Sequence, residues 1–248
     1  ENIKLYFDKI IAIETLQLND LWQSYINYQN IPNFLFFKDE YIINDSILDL
    51  FKRVILEDIP KLKPNFTDFT KIESLVLRLA GSDEINTEKL AGIIGVKQSD
   101  INDLIDILAK AELLNVLHTF GGLDSKIVKN KKAFFMSSSL RRALLSTLYG
   151  QELPEQFKSK LIEDIVVMYL RRILTDGVIS FLSGNEVNPD FVIETRDKPI
   201  LLEIGTGKTI IKQLKVNYRY ALLISDGINE SNLKDNCIQM PLSWFLLL

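Results

Sequence analysis

The feature that most restricts the fold of this chain is a set of three short apolar runs between residues 178 and 204. The runs read VISFLS, DFVIET and PILLEI, and residues typical of turns lie between them. Runs of this length, rich in β-branched side chains and closely spaced, predict strands joined as hairpins. A helical pattern over residues 156–174 precedes them, and the strand-like segments YALLISDG and MPLSWFLLL follow. We therefore expect a mixed α/β domain over residues 150–248.

The segment LLEIGTGKTII, residues 201–211, ends in the letters of a phosphate-binding loop. The complete motif opens on a further glycine, which forms the tight turn that wraps backbone N–H groups around a phosphate. In this chain that position is occupied by Leu202, and too few strands follow to build the parallel sheet that supports such a loop. The sequence therefore argues against a nucleotide site at this segment.

Three carboxylates lie where this domain could bring them together. Asp190 opens the second apolar run, Glu203 lies near the end of the third, and Glu163 projects from the preceding helical segment. Such a set of oxygen ligands suits Mg²⁺ or Mn²⁺, and a bound metal of this kind can activate water against a phosphodiester. The alternative is that Asp190 and Glu203 are solvated charges at the ends of strands.

These residues resemble the signature of the restriction-endonuclease-like family, PD-(D/E)XK, which is Glu, then Pro-Asp, then Glu-x-Lys. The matching positions are Glu163, Pro189-Asp190 and Glu203-Ile204-Gly205, so Gly205 takes the place of the family's lysine. The resemblance implies metal-dependent hydrolysis, in which that lysine positions water, and its replacement argues against activity. Lys208 could act in its stead only if the strand bends, because positions 203 and 208 fall on opposite faces. A vestigial site, an active nuclease and plain strand-end charges all stay open.

Residues 65–149 predict a different arrangement. Helical patterns in TDFTKIESLVLRLAG, NTEKLAGIIG and VKQSDINDLIDILAKAELL precede two strand-like runs, NVLHTF and KKAFFMS. Three helices and a β-hairpin are the order of a winged helix-turn-helix domain, whose third helix reads the DNA major groove in many members. The exposed positions expected on this third helix are mostly acidic and would be repelled by phosphates. They are Asp100, Asn102, Asp103 and Asp106.

A group of cations accompanies the predicted wing. Its members are Lys126, Lys129, Lys131, Lys132, Arg141 and Arg142. These side chains could hold a nucleic-acid backbone, or they could form a solvated surface or a protein contact, and we favour the second interpretation. DNA binding by the wing is kept as an alternative hypothesis.

Residues 1–64 have helical patterns, for example in LNDLWQSYINY and DSILDLFKRVILEDI. This part resembles the helical lid that follows the nucleotide-binding core in a prokaryotic family of AAA-type ATP-binding proteins. In that family a winged helix and a degenerate restriction-endonuclease-like domain come after the lid. The matching stretches are the Tyr28–Pro32 turn, Glu57-Asp58-Ile59, the Asp190 and Glu203 pair, and the closing IQMPLSWFLLL, which resembles the family's last strand.

The resemblance implies a helical AAA lid-like segment over residues 1–64, a winged helix over 65–149 and a degenerate nuclease-like domain over 150–248. It places the phosphate loop and ATP upstream of Glu1, so this chain is expected not to hydrolyse ATP alone. We expect a regulatory or interaction region whose partner is that ATPase core, with other proteins and nucleic acid as further possible partners. The alternatives are a metal-dependent nuclease that uses Glu163, Asp190, Glu203 and Lys208 with Mg²⁺ or Mn²⁺, and a winged-helix DNA-binding regulator.

Composition excludes several other classes of protein. One cysteine, Cys237, and one histidine, His118, exclude an internal disulfide and a Cys/His zinc site. The formal net charge is -4, so nucleic-acid binding would have to come from a local basic patch. No apolar run approaches the roughly 20 residues of a membrane span, and no signal peptide is visible. We therefore expect a cytoplasmic protein without a membrane partner.

Overall fold

A computed structural model describes most of the chain: residues 21–64, 68–82, 84–128, 131–174, 177–183, 188–207, 217–234 and 236–247, without the side chains of 127 and 128. The chain divides into two compact units, and each is described by itself. The helical unit comprises Ser24–Val116 and Asn130–Met168, and the sheet unit comprises Glu1–Gln23, Leu117–Lys129 and Tyr169–Leu248. Helices and a mixed set of strand pairings place the protein in the mixed α/β class, as the sequence predicts.

The longer helices lie mainly in the helical unit, and their starts and ends follow from local residues. Asp39 begins the second helix by accepting hydrogen bonds from the backbone N–H groups of Tyr41 and Ile42. In chain order the helices are α1 (Leu21–Ser24), α2 (Glu40–Arg53), α3 (Ile59–Leu62), α4 (Phe69–Gly81), α5 (Thr87–Ile94), α6 (Gln98–Lys110), α7 (Leu123–Val128), α8 (Ser138–Tyr149), α9 (Lys158–Ile173) and α10 (Leu242–Phe245). Shorter turns of π-helix at Tyr25–Gln29 and Val54–Asp58 follow α1 and α2, and turns of 3-10 helix lie at Pro32–Phe34 and Glu155–Phe157.

Helices α4, α5 and α6 share the core of the helical unit with short strands. Asn86 caps α5 by accepting from the N–H of Lys89, and Gly95 ends it with a φ of 72°. Strand β1 (Glu84–Ile85) pairs antiparallel with β3 (Lys131–Phe135), which lies beside the first half of β2 (Leu114–Thr119). The helix α7 occupies the connection from β2 to β3. The apolar sides of these elements meet in one cluster of buried residues, among them Ile72, Leu79, Leu104, Leu108 and Phe135.

The sheet unit is built on a mixed sheet with the strand order β2-β4-β5-β6-β7-β9-β8. Its strands, besides the second half of β2, are β4 (Val178–Phe181), β5 (Phe191–Glu194), β6 (Ile200–Gly205), β7 (Tyr220–Ser225), β8 (Asn232–Lys234) and β9 (Cys237–Pro241). Strands β4, β5 and β6 are antiparallel neighbours, which confirms the predicted hairpins, and β7 and β9 add in parallel to β6. Strands β4, β6, β7 and β9 therefore end at the same edge, where β5 begins. We call it the carboxyl edge.

The two faces of this sheet differ in chemistry. Because side chains alternate along a strand, the register puts Ser180, Val192, Leu201, Ala221 and Cys237 in one row on one face. We call it the polar face, because Asp190 and Glu203 lie two positions along from that row on β5 and β6, although Val192, Leu201 and Ala221 in the row itself form a small buried apolar cluster. The opposite face is apolar and buried; its residues include Phe191, Leu202, Ile204, Ile224, Ile238 and Met240.

The end of the chain departs from the predicted closing strand. Cys237–Pro241 does form a strand, but α10 follows as a helical turn rather than a continuation of β9. Pro241 accounts for the change, because proline has no N–H with which to extend the hydrogen-bonded ladder. The turn buries Leu242, Trp244 and Phe245. Among the helices described, none combines the length and the apolar character that crossing a bilayer requires.

Candidate functional site

Asp190 and Glu203 lie at the carboxyl edge of the sheet. The antiparallel register pairs Phe191 with Leu202, and one further step along it sets Asp190 opposite Glu203. Both positions belong to the polar face, and both side chains are half-buried. The fold therefore brings these two carboxylates to one edge and one face of the sheet.

The carboxylate of Asp190 takes part in the backbone structure of this edge. Its Oδ2 accepts a hydrogen bond from the N–H of Ile204, at 2.6 Å. A hydrogen bond between an ionised carboxylate and a backbone amide is stronger than one between neutral groups. Asp190 thus fastens the start of β5 to the end of β6, a structural role that does not depend on a metal ion.

Gly205 stands at the last position of β6, where the PD-(D/E)XK pattern has its lysine. It pairs with Ser225 of β7, and alternation along the strand puts it on the same face as Glu203. A glycine supplies neither a charge nor a hydrogen-bond donor from a side chain. Lys208, the residue that could replace that lysine, lies outside the described residues.

The glycines of the GTGKT segment have a structural explanation at the same edge. Gly207 has a φ of 65°, and its N–H donates to Oδ1 of Asp226 at 2.8 Å. The loop after β7 passes so close that a Cβ on Gly227 would lie 2.7 Å from the Cα of Gly207. A phosphate loop offers such N–H groups to its ligand. Here a carboxylate of the same chain takes the N–H of Gly207, which agrees with the sequence argument against a nucleotide site.

Glu163, the third predicted ligand, lies on α9 within the helical unit, whereas Asp190 and Glu203 belong to the sheet unit. Its side chain is half-buried. Within the described parts of the chain, no group of three or more histidine, cysteine, aspartate or glutamate side chains is arranged to hold a metal ion. A metal site formed by Glu163, Asp190 and Glu203 stays a prediction.

The residue after Glu163 is at the centre of a buried polar cluster in the helical unit. Asp164 is fully buried and forms two hydrogen bonds with the Arg141 guanidinium, from Nε to Oδ2 at 2.6 Å and from Nη2 to Oδ1 at 2.8 Å. Asp164 also accepts from the N–H of Phe135, and Arg141 donates to the carbonyl of Ala80. This ion pair ties α8 and α9 to β3 and the end of α4.

Arg141 therefore cannot belong to the predicted basic surface, because its side chain has no exposure and its charge is neutralised inside the helical unit. A sequence signal for this burial exists. Arg141 precedes Leu144 and Leu145 by a helical turn, and both are buried. An arginine on the apolar stripe of a helix indicates a buried partner.

The other predicted cations have varied surroundings. Arg142 lies with its guanidinium carbon 4.5 Å from the ring centre of Tyr28 and donates to the carbonyl of Gln151 at 2.7 Å. Lys131 and Lys132 are half-buried on β3. Lys132 lies opposite Glu84 in the backbone register of β1 and β3. Lys129 lies outside the described residues.

Lys126 belongs to a polar cluster on the polar face of the sheet unit. Its Nζ lies 2.8 Å from Oε2 of Glu194, whose other oxygen accepts from the hydroxyl of Ser180. His118, the strand neighbour of Ser180, donates from Nδ1 to the carbonyl of Lys126 at 3.0 Å. These contacts hold α7 against β2, β4 and β5, so the charge of Lys126 is already engaged by Glu194.

The exposed side of α6 is acidic, as the sequence predicts. Asn102, Asp103 and Asp106 are exposed and Asp100 is partly so. Lys63 forms ion pairs with both Asp100 and Asp103. This face therefore presents a largely negative surface, which a nucleic-acid backbone would repel.

Comparisons with known proteins give a match to a family over part of the chain and a relative that aligns with nearly all of it. Residues 34–149 match the model of a domain of unknown function, DUF8612. The chain is 25% identical over 253 residues to the uncharacterized protein MJ1637 of Methanocaldococcus jannaschii, a match that covers 98% of this chain and 52% of that protein. This chain thus spans about half the length of that relative. The crystal structure of RV1404 from Mycobacterium tuberculosis aligns with 53% of this chain and 93% of its own, at 19% identity and a TM-score of 0.23, too low to define a shared fold.

Proposed function

We propose that this chain is a non-catalytic regulatory or interaction region of an AAA-type ATPase, built from a helical lid, a winged helix and a restriction-endonuclease-like domain. The absence of catalysis in this proposal rests on one observation, the arrangement of residues at the carboxyl edge. Asp190 is engaged by the N–H of Ile204, and Gly205 leaves the lysine position without a side chain. An edge arranged in this way supports folding without supplying the charge that positions water for hydrolysis.

The strand order supports the nuclease-like part of the proposal. A helix, α9, precedes three antiparallel strands, β4, β5 and β6, and β7 then adds in parallel beside β6. The stated resemblance needs a glutamate on a helix, an aspartate that opens a strand and a glutamate on the next strand, and Glu163 on α9, Asp190 at the start of β5 and Glu203 on β6 agree with it. The order α4, β1, α5, α6, β2, α7 and β3 similarly supports the winged-helix part, because three helices come before the neighbouring strands β2 and β3, which α7 connects.

The acidic side of α6 and the engaged cations favour protein contacts over DNA as the role of this second part. The ATPase core is proposed to lie in a separate portion of the full protein. The relative from Methanocaldococcus jannaschii is about twice as long as the part matched here, so it has room for such a core.

A metal-binding and cleavage experiment tests the non-catalytic proposal. Calorimetric titration with Mn²⁺ and incubation with supercoiled plasmid and Mg²⁺ or Mn²⁺ would be run on the chain, on Asp190→Asn and on the control Asp197→Asn. Asp197 lies in the exposed turn between β5 and β6. We expect none of the three proteins to cleave the plasmid. We also expect the heat of the Mn²⁺ titration to be the same in the unchanged chain and in Asp190→Asn. Plasmid cleavage that Asp190→Asn abolishes and Asp197→Asn retains would instead establish the metal-dependent nuclease.

A DNA-binding assay addresses the second alternative. We expect no electrophoretic shift of duplex DNA at low salt, and no difference when Lys131 and Lys132 are changed to glutamine. A shift that weakens with salt and is lost in the glutamine variant would favour the DNA-binding regulator. Reading the coding sequence upstream of Glu1 tests the ATPase part, because a complete G-x-x-x-x-G-K-[ST] motif is expected there.

A further inference from the structure

Large apolar side chains are exposed close together in the chain where α2 begins in the helical unit. They belong to Leu35, Phe36, Phe37, Tyr41 and Ile42, and we call them the aromatic patch. Phe36 is 88% exposed and Tyr41 is 69% exposed, although aromatic rings supply the largest apolar contacts in cores and interfaces. Apolar side chains exposed singly need no explanation, whereas a group of them is typical of a surface that another molecule covers.

The backbone around the aromatic patch is held in place by contacts within the chain. The buried ring of Phe34 packs edge-on against the ring of Phe37, with the ring centres 5.9 Å apart. Gln29 donates from Nε2 to the carbonyl of Phe37 at 2.9 Å, and Asp39 then caps the start of α2. The patch is therefore presented in one arrangement, which lowers the ordering entropy that binding has to offset.

Charges of opposite sign accompany the aromatic patch. Lys38 comes three positions before Tyr41, Asp45 comes three positions after Ile42, and both charged side chains are exposed. On α2, Asp45 lies one turn from Tyr41 and Ile42, so it borders their side chains. Neither Lys38 nor Asp45 takes part in an ion pair within the portion of the chain that the structure describes.

The two carboxylates between Lys38 and Asp45 are already engaged within the chain. Asp39 accepts hydrogen bonds from backbone N–H groups at the start of α2, and Glu40 forms a side-chain hydrogen bond with Tyr28. Among the charges at positions 38–45, Lys38 and Asp45 are therefore the two that a molecule bound on the aromatic patch can pair with.

A patch with a cation at one end and an anion at the other is complementary to itself. In a dimer with a twofold axis, the same surface of both copies meets in opposite directions. An axis between Tyr41 and Ile42 places the two aromatic patches against each other. It also places Lys38 of each copy opposite Asp45 of the other, because both lie three positions outside the central pair. Both ends then gain an opposite charge, which a partner of a single sign could not provide.

We propose that the aromatic patch is the contact between two copies of this chain in a twofold dimer, and that Lys38 and Asp45 set its register. The contact buries rings that the fold of one copy leaves in water, and this burial supplies most of its free energy. Five partly exposed side chains supply less area than the roughly 800 Å² per partner of a typical stable interface. We therefore expect a dissociation constant in the micromolar range. This inference does not depend on the function proposed above.

Sedimentation velocity of the full chain, over a range of micromolar concentrations, tests the dimer. Phe36→Ser removes the most exposed ring from both copies at once, and we expect it to raise the dissociation constant by at least about thirtyfold. The matched control is Ile93→Ser, which changes an exposed apolar residue on α5. It should leave the dissociation constant unchanged, because Ile93 lies outside the aromatic patch.

A charge-reversal series tests the second copy and its register. Lys38→Glu and Asp45→Lys each place like charges opposite each other at both ends of the contact, and each should weaken the dimer by about fivefold. The double variant restores opposite charges at both ends, so its dissociation constant should return to within about twofold of that of the unchanged chain. These differences should shrink as salt is added.

A chain that stays monomeric at every concentration would overturn the proposal. So would a dimer that Phe36→Ser does not weaken, or a double variant that is no tighter than the single charge reversals. If the monomer floats with phosphatidylcholine vesicles and Phe36→Ser does not, the patch contacts a lipid surface instead of a second copy. Circular dichroism checks the fold of each variant, and if Phe36→Ser fails to fold, the charge-reversal series decides the proposal alone.

Discussion

Asp164 and Asp190 are two aspartates that do the same local task in very different surroundings. Each accepts a hydrogen bond from a backbone N–H of a strand, Asp164 from Phe135 at 2.8 Å and Asp190 from Ile204 at 2.6 Å. Asp164 is completely enclosed and is paired with an equally enclosed Arg141, whereas Asp190 is half-buried at the edge of a sheet. The partners and the burial of each carboxylate therefore decide how much it contributes to the stability of the fold.

The comparison shows that the position of a residue in a sequence motif does not indicate how much that residue contributes to the stability of the fold. Asp190 is conspicuous in the sequence because it follows a proline and opens a strand. Asp164 is conspicuous only in the fold, where it connects α9 with α8 and β3. An isolated buried charge is very costly, so a buried aspartate and a buried arginine each depend on the other.

The largest effect is expected from breaking the buried pair. Asp164→Ala leaves the Arg141 guanidinium uncompensated in the core, and we expect it to lower the free energy of unfolding by about 3–5 kcal/mol. Urea denaturation followed by circular dichroism measures the loss. The double variant Arg141→Met with Asp164→Leu should recover part of it, because no charge is then left buried, although the N–H of Phe135 still loses its acceptor. A loss below about 1 kcal/mol in Asp164→Ala would contradict the assigned role.

A smaller loss is expected at the sheet edge. Asp190→Ala removes the acceptor for the N–H of Ile204, and water can replace part of that bond at this half-buried position. We expect a loss of about 1–2 kcal/mol in the free energy of unfolding. Asp190→Asn keeps an acceptor oxygen and should lose clearly less. Equal losses in the two variants would mean that the charge of Asp190, rather than this hydrogen bond, stabilises the edge.

The half-exposed pair of Lys126 and Glu194 should contribute less again. Glu194→Gln keeps an oxygen that can accept from the hydroxyl of Ser180 but removes the charge that attracts Lys126. We expect a loss below about 1 kcal/mol, which should shrink as salt is added. Denaturation at low and high ionic strength checks both points. A loss as large as that of Asp164→Ala would show that exposure does not govern the difference between the pairs.

The effect that is smallest at neutral pH concerns Cys237, a half-buried thiol on β9. Burial raises the pKa of Cys237 from its ordinary value of 9.0 to about 11, because the thiolate is poorly solvated there. The folded pKa is above the unfolded one, so this contribution to stability is complete below pH 9 and is lost as the pH rises towards 11. We expect a shallow decrease in stability over that range, absent in Cys237→Ala. A decrease of the same slope in both proteins would assign it to other groups.

The sequence predicted the elements that depend on local patterns. Three short apolar runs at hairpin spacing predicted β4, β5 and β6 as antiparallel neighbours, and the apolar run YALLIS predicted β7. The prediction of a strand over IQMPLSWFLLL was right for residues 238–241 and wrong for Leu242–Phe245, because the residues that follow Pro241 are as apolar as a strand. Both outcomes follow from the local pattern, which does not distinguish an apolar strand from an apolar helical turn.

The candidate site likewise combines features that the local sequence predicts with contacts that only the fold creates. Its local features, the carboxylates of Asp190 and Glu203 near strand ends and the glycine at position 205, could be read from the sequence. The partner of Gly207 could not, since Asp226 comes from the loop after another strand, 19 positions away. The pairing of Arg141 with Asp164 spans 23 positions and joins two helices. Neither partner is specified by any nearby residue.

The sequence by itself determined the mixed α/β class, the succession of helices and strands, and the absence of the residues needed for a disulfide or a Cys/His zinc site. These follow from periodicity and residue type, which act over a few positions of the chain. Only the tertiary structure decided that Asp164 is the partner of Arg141, that the N–H of Gly207 is taken by Asp226, and that Asn30 bonds with the first turn of α8. Burial and long-range hydrogen bonds decide these roles, because the energy of a charge or amide depends on what surrounds it.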